Sequence, residues 1–179
     1  MRIQRTVISL LGAAALAAYA GQAFAIGNDA RITQSGSRHE AGIETSGLDS
    51  DVRVSQAGSE HNANVTARGA SQDVLLTQSG QGQRARIHMN GLGNEIDVRQ
   101  SNARNSLDAD ITNVGNEATV RQSGQDGHVT VFQSGILNDA TITQGGARND
   151  AGVWQRGADD KAIINQMQTS DSKAYISQF

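Results

Sequence analysis

The side chains of this chain with most scope for chemistry are carboxamides, and they come at a fixed interval. Glutamine stands at Gln34, Gln56, Gln78, Gln100, Gln122, Gln144 and Gln166, always 22 residues apart. A primary amide donates and accepts hydrogen bonds but neither titrates nor attacks, so a column of amides has one chemistry open to it, pairing with its own kind. Recurrence at a fixed period of this size marks a repeat architecture. A second periodic set is acidic: Asp29, Asp51, Asp73, Glu95, Glu117 and Asp139, a column that ends at Lys161. Like charges stacked one above another destabilise a sheet. Solvent screening and the nearby Arg31, Arg53, Arg99 and Arg121 offset part of that cost. Left unpaired, the acids would act as a brake on stacking that protons or divalent cations release. His39 and His61 lie one period apart and are expected to stack, sharing corner hydrogen bonds. Two histidines without a third ligand make a poor metal site. His88, His128, Trp154 and Tyr175 fall on outward parity.

No enzyme emerges from these residues. The sequence lacks a P-loop, a His-Glu-x-x-His pair, a Gly-x-Gly-x-x-Gly turn after a strand, and a Ser/His/Asp set with supporting context. No cofactor or metal is expected. The nonapeptide Gly-Gly-x-Gly-x-Asp of calcium-binding rolls is absent, and the column 31/53/75/97/119/141/163 mixes Arg, Leu, Asp, Thr and Ile where an ice-binding face would need threonine. A net charge of −3 favours solubility and argues against nucleic acid as a partner.

The elements that must position the amides are strands. In Asn138-Asp139-Ala140-Thr141-Ile142-Thr143-Gln144 the residues alternate at period 2, and Gly145-Gly146 closes the run. Each 22-residue unit divides into two such halves of the form Asn-x-Ala-x-Ile-x-Gln-x-Gly. Inward pairs such as Val52/Val54, Ile96/Val98, Ala140/Ile142, Ala63/Val65, Ala109/Ile111 and Ala151/Val153 keep one parity, which a 3.6-residue helical period would scatter. Setting Ala109/Ile111 as the inward pair of its half makes Asn102–Gly115 two residues longer than its neighbours, with register regained at Gln122. The last half runs one residue long, which moves its glutamine to Gln178. Corner positions are substituted early in the chain, at Ser50, His61, Ala67, Gln72, Gln83 and Met89, so the N-terminal half is expected to be less tightly laddered than Asn94 to Gln155.

Residues 1–25 carry a targeting pattern: Arg2 and Arg5, an apolar run from Val7 to Ala20, and Ala23-Phe24-Ala25 as a cleavage site. They are expected to be a signal peptide outside the fold. Residues 26–179 are then seven 22-residue units end to end. An exported chain with no cysteine has no disulfides to hold it, and without proline its strand edges are unguarded. The expected fold is all-β: a two-sheet β-solenoid of seven strand–turn–strand rungs, stacked about 4.8 Å apart. Stacked Asn and Gln amides should line its corners, each donating to one neighbour and accepting from the other. The central ladder is assigned to Asn94, Gln100, Asn116, Gln122, Asn138, Gln144, Asn149 and Gln155. End rungs without caps expose backbone groups to further chains, so the chain is expected to form amyloid. A monomeric ligand-binding solenoid is the alternative.

The doubled Asn-x-Ala-x-Ile-x-Gln-x-Gly half-repeat, the exported context and the lack of Cys and Pro resemble the curlins, subunits of bacterial curli. The resemblance covers essentially the whole of residues 26–179. It implies passage through a dedicated outer-membrane secretion apparatus and assembly into surface fibres for adhesion and biofilm matrix, as a homopolymer or with another curlin. The last rung is atypical: Lys161 and Lys173 are the chain's lysines, Gln168 replaces glycine, and Asp160 and Ser172 replace asparagine. The segment Lys161–Gln168 resembles the degenerate end of the minor, nucleating subunit, and lysine at an edge discourages further pairing. The Gly-rich segment usual in the major subunit is absent; the first rung, with His39 and Thr45, would take its place in secretion.

Overall fold

The computed structural model describes residues 5–11, 17–20 and 27–179, with side chains over 27–167 and 170–179. Two parallel sheets face each other. The first contains β1 (Arg5–Leu11), β3 (Asp29–Ser37), β5 (Asp51–Ser59), β7 (Asp73–Gln81), β9 (Glu95–Gln100), β11 (Glu117–Gln122), β13 (Asp139–Ala147) and β15 (Lys161–Ser170). The second contains β2 (Ala17–Ala20), β4 (Glu40–Leu48), β6 (Asn62–Ala70), β8 (Arg84–Leu92), β10 (Ser106–Val114), β12 (His128–Ile136), β14 (Asp150–Ala158) and β16 (Lys173–Gln178). The chain alternates between sheets, so each sheet is ordered as its strands occur and each 22-residue unit is one turn of a β-solenoid. The repeats make about seven turns.

The alternation in sequence is the alternation in burial. In β5, Val52, Val54 and Gln56 are buried while Arg53 is exposed. Every buried apolar side chain described belongs to one continuous core of Ala, Val, Ile, Leu and Met. That core is one side chain thick per sheet, and it gains area only by adding rungs.

The register differs from the sequence reading in one place. Leu107 pairs with Ala85 and Val129, and Ala109 with Ile87 and Val131. The inward pair of this half is therefore Leu107/Ala109 rather than Ala109/Ile111, and Asn102–Gly115 contains no insertion. Ile111 instead stacks on Met89 and Gln133, in the position the later units give to glutamine. Period-2 patterning allows both alignments, because an even shift keeps every side chain on its face. The extra residue of the last unit is present: pairing of β13 with β15 slips between Gln144/Gln166 and Gly146/Thr169, and β14 pairs with β16 as Gln155↔Gln178.

The segment expected to be a signal peptide is partly described. β1 pairs in parallel with β3, and β2 with β4, so residues expected to stand outside the fold add strands to both sheets. The expected cleavage site Ala23–Ala25 lies outside the described residues.

Corners combine glycine with a left-handed residue. Gly58 has φ 124°, and a Cβ there would sit 2.0 Å from the Gly80 carbonyl oxygen of the next rung. Two positions on, non-glycine residues such as Arg38, Glu60 and Arg148 hold φ near 55–60° (56°, 62° and 53°). Gly58→Ala should therefore destabilise the soluble chain by about 1–3 kcal/mol through backbone strain alone, with the clash adding to it. The urea midpoint of freshly dissolved protein checks this, and an unchanged midpoint would contradict the corner geometry.

Candidate functional site

The first glutamine column is continuous. Gln34, Gln56, Gln78, Gln100 and Gln122 each donate from Nε2 to Oε1 of the glutamine 22 residues on, at 2.6, 2.8, 2.8, 2.8 and 3.2 Å, and Gln144 donates to Gln166 at 3.0 Å. The other Nε2 hydrogen crosses to the opposite sheet. Gln100 reaches the Arg84 carbonyl, Gln122 that of Ser106 and Gln144 that of His128, at 3.0–3.1 Å. All seven glutamines are buried, from 0 to 6 % exposed. A buried amide left unpaired is costly, and this geometry satisfies both hydrogens and the oxygen of each interior member.

The asparagine columns work differently from the expected amide-to-amide ladder. Asn94 Oδ1 accepts the backbone N–H of Asn116 at 2.9 Å, Asn116 Oδ1 that of Asn138 at 3.0 Å, and Asn149 Oδ1 that of Ser172 at 3.1 Å. Their Nδ2 groups turn back to carbonyls four residues earlier, as Asn116 does to Thr112 at 2.6 Å. Amide-to-amide contact is limited to a long bond from Asn116 Nδ2 to Asn94 Oδ1 at 3.4 Å, and the main work of these asparagines is to cap the tight turn and tie it to the next rung.

That job needs one donor and one acceptor at the right reach, which explains the substituted corners. Gln72 N donates to Ser50 Oγ, Asn94 Nδ2 to Gln72 Oε1, and Asn105 N to Gln83 Oε1. His61 Nε2 meets the Ala57 carbonyl at 3.0 Å while its Nδ1 accepts the Gln83 N–H at 3.2 Å. His39 Nε2 meets the Ser35 carbonyl at 2.9 Å while its Nδ1 is buried without a partner, and the two rings stack with centroids 4.9 Å apart. The early corners are therefore laddered. The difference between halves lies in the second glutamine column, where Gln133, Gln155 and Gln178 are linked at 3.0 Å each, but the positions below are Thr45, Ala67, Met89 and Ile111, all buried.

The acidic column stacks as expected: Asp29, Asp51, Asp73, Glu95, Glu117 and Asp139 are in register, and Lys161 bridges Asp139 at 2.8 Å. Burial, then the neighbouring carboxylates Asp73 and Asp29, push the Asp51 carboxyl up against the pull of Arg53. Burial and then Glu117 raise Glu95. Arg99 pairs with Asp97, outside the column. A further charged column was missed by the sequence reading because it lies in the turns: Arg38, Glu60, Arg104, Asp126, Arg148 and Asp171. Here Arg38–Glu60, Arg104–Asp126 and Arg148–Asp171 are bridged between rungs at 2.6–2.7 Å. Trp154 and Tyr175 do face outward, with rings 5.9 Å apart, and Arg156 lies over Phe132 and Phe179.

The two ends of the rod carry opposite halves of each column. At the N-terminal end Gln34 Oε1 is buried without a partner. At the other end Gln166 Nε2 uses one hydrogen on the Asp150 carbonyl, and the ladder stops with the other. Asp160 Oδ2 is buried and unpaired at the end of the column that begins at Asn28. The first rung presents Asp29, Glu40 and Arg38; the last presents Lys161, Lys173 and Asp171, the opposite charge at each position. Lys161 and Lys173 thus close acidic or mixed columns, and Gln168 belongs to the slipped segment of β15.

Three variants test these contacts. Gln122→Ala removes the acceptor of Gln100 and the donor to Gln144, and should cost about 1–3 kcal/mol for each buried group left unpaired; it should also lengthen the fibrillation lag, read by thioflavin fluorescence. For pH, burial, opposed in part by the Ala57 bond, holds His61 below its ordinary 6.5. A depressed histidine contributes stability that is full above about 6.5 and is lost as pH falls through the folded-state value. The raised Asp51 and Glu95 act oppositely, relieved as pH drops toward the carboxylate range. His61→Asn should therefore flatten the loss between pH 7 and 5.5 in urea titrations, and Asp51→Asn should stabilise at pH 7.

Residues 27–58 and 138–179 match the curlin associated repeat. No curated protein matches the chain significantly. The matched stretches are the first rung with most of β5, and the last two rungs, so the same unit is recognised at both ends of a rod whose middle rungs keep its period and register. The chain is a two-sheet parallel β-solenoid whose first and last rungs are similar to curlin repeats.

Proposed function

We propose that this chain is an exported subunit of curli fibres, cut after Ala25 and polymerised outside the cell by stacking the last rung of one copy on the first rung of the next. The observation that carries this reading is the complementarity of the ends. Lys161 over Asp29, Lys173 over Glu40 and Asp171 over Arg38 would repeat between copies the bridges already made between rungs, such as Lys161–Asp139 and Arg38–Glu60. The Gln166 amide and Gln34 Oε1 would continue the ladder, and the Asn28 N–H would reach Asp160 as the Asp160 N–H reaches Asn138. The N-terminal edge is able to accept foreign strands, since β1 and β2 already pair there in the uncleaved chain.

Secretion through an outer-membrane curli apparatus, and adhesion and biofilm matrix as the use of the fibre, follow from the curlin likeness. A nucleating role is a second reading, favoured by the slipped register of β15 and its likeness to the minor subunit. Cross-seeding tests it: a trace of this protein should abolish the lag of a separate major curlin.

The main reading is tested by charge exchange in residues 26–179. The double variants Lys161→Glu/Lys173→Glu and Asp29→Lys/Glu40→Lys should each fibrillate more slowly than wild type at low salt. A 1:1 mixture of the two, or all four changes in one chain, should recover the rate. Failure of wild type to form fibres would end the reading; equal rates for all variants would end the end-to-end contact.

A further inference from the structure

One feature of the rod lies outside the stacking contact. At the last strand position of the second sheet, the residues Leu48, Ala70, Leu92, Val114, Ile136 and Ala158 are in register, one per rung. Leu48, Leu92, Val114 and Ile136 are 51, 52, 41 and 50 % exposed, and Leu137 widens the strip at 57 %. The matching position of the first sheet reads Ser37, Ser59, Gln81, Ala103, Gln125, Ala147 and Ser170. One corner of the solenoid is an apolar strip along its length and the opposite corner is mostly polar. Core packing does not need aliphatic side chains at a half-exposed corner, since the polar corner folds into the same turn.

We infer that this strip is a lateral contact between two rods of this chain, joining filaments side by side. The occupant is set by spacing and by area. Apolar side chains repeating once per rung, about 4.8 Å apart, match a partner with the same repeat, and a second copy supplies it, in the manner of paired sheets in a steric zipper. The exposed part of the strip on one copy is on the order of 400 Å², so a pair of single copies falls short of the roughly 1,000 Å² a specific interface should clear. Stacked copies extend the strip with one rung missing per copy, because β16 stops short of the strip position and Leu48 of one copy lies two rungs beyond Ala158 of the copy before it. The contact is therefore too small between free chains and becomes sufficient once a few copies share a filament. This inference rests on the stacked fibre proposed above.

The chain has no cysteine, so a single introduced thiol reports the contact. Within one filament the same residue recurs every seven rungs, about 34 Å apart at the strand spacing, far beyond the ~4.4–6.8 Å between Cα atoms that a disulfide spans. Fibres of Leu92→Cys, oxidised and run on a non-reducing gel, should give covalent dimer for most chains. Fibres of Gln81→Cys, on the exposed polar corner, should remain monomeric. Fibres in which Leu92→Cys crosslinks no more than Gln81→Cys would overturn the lateral contact while leaving the fibre intact. In a companion measurement, Leu92→Ser/Ile136→Ser should keep the lag within about twofold of wild type and yield thinner filaments by electron microscopy; unchanged widths would count equally against the strip. If wild type forms no fibres, the fibre reading fails, and the lateral contact with it.

Discussion

A buried amide in a thin core must be satisfied by another copy of itself. Alanine and valine cannot make this rod thick enough to exclude water from a polar corner by bulk, so each rung carries one glutamine that bonds up, down and across. The rest of the structure follows. The strands must be parallel and in register, or the amides would not meet. The turns must be tight enough to keep the two sheets one side chain apart, which is why glycines stack carbonyl to Cα and their neighbours accept left-handed backbone. The charged columns of the outer surface inherit the same register, for better in Arg148–Asp171 and for worse in the carboxylates around Asp51.

Much of this was legible in the sequence because period 2 and period 22 are both read from residue types without any distance. The two-sheet solenoid, the outward aromatics and the stacking of His39 on His61 came from parity alone. What parity could not decide was register by an even number, and there the alignment of Ala109/Ile111 was wrong: Ile111 had been placed in the core pair when it fills an amide position. The donor of each corner bond was also beyond reach. The Oδ1 of Asn116 accepts a backbone N–H rather than a side-chain amide, which depends on side-chain length against a turn whose shape is known only when folded. For the same reason the corners at Ser50, Gln72 and Gln83 looked defective and are not.

The functional surfaces were legible in unequal measure. The self-pairing glutamines announced themselves, whereas the alternating turn charges and the apolar strip from Leu48 to Ala158 sit at positions where loops ordinarily tolerate any residue. They become visible once the register brings residues 22 apart into contact. The lysines of the last rung show how meaning changes with context. Read as isolated edge residues, Lys161 and Lys173 repel an incoming strand; read against Asp29 and Glu40 at the far end, they complete a column.

Every carboxamide of the first column donates in the same direction along the rod, from Gln34 toward Gln166. Aligned peptide units give an α-helix a macrodipole, and these side-chain dipoles sum in the same manner, with the positive pole at the last rung. The lysines stand at that pole and the carboxylates of Asp29 and Glu40 at the other. In the stacked fibre proposed above this column would cross every joint in the same sense, so the two tips would differ in kind: amide hydrogens beside lysines at one, an amide oxygen beside carboxylates at the other.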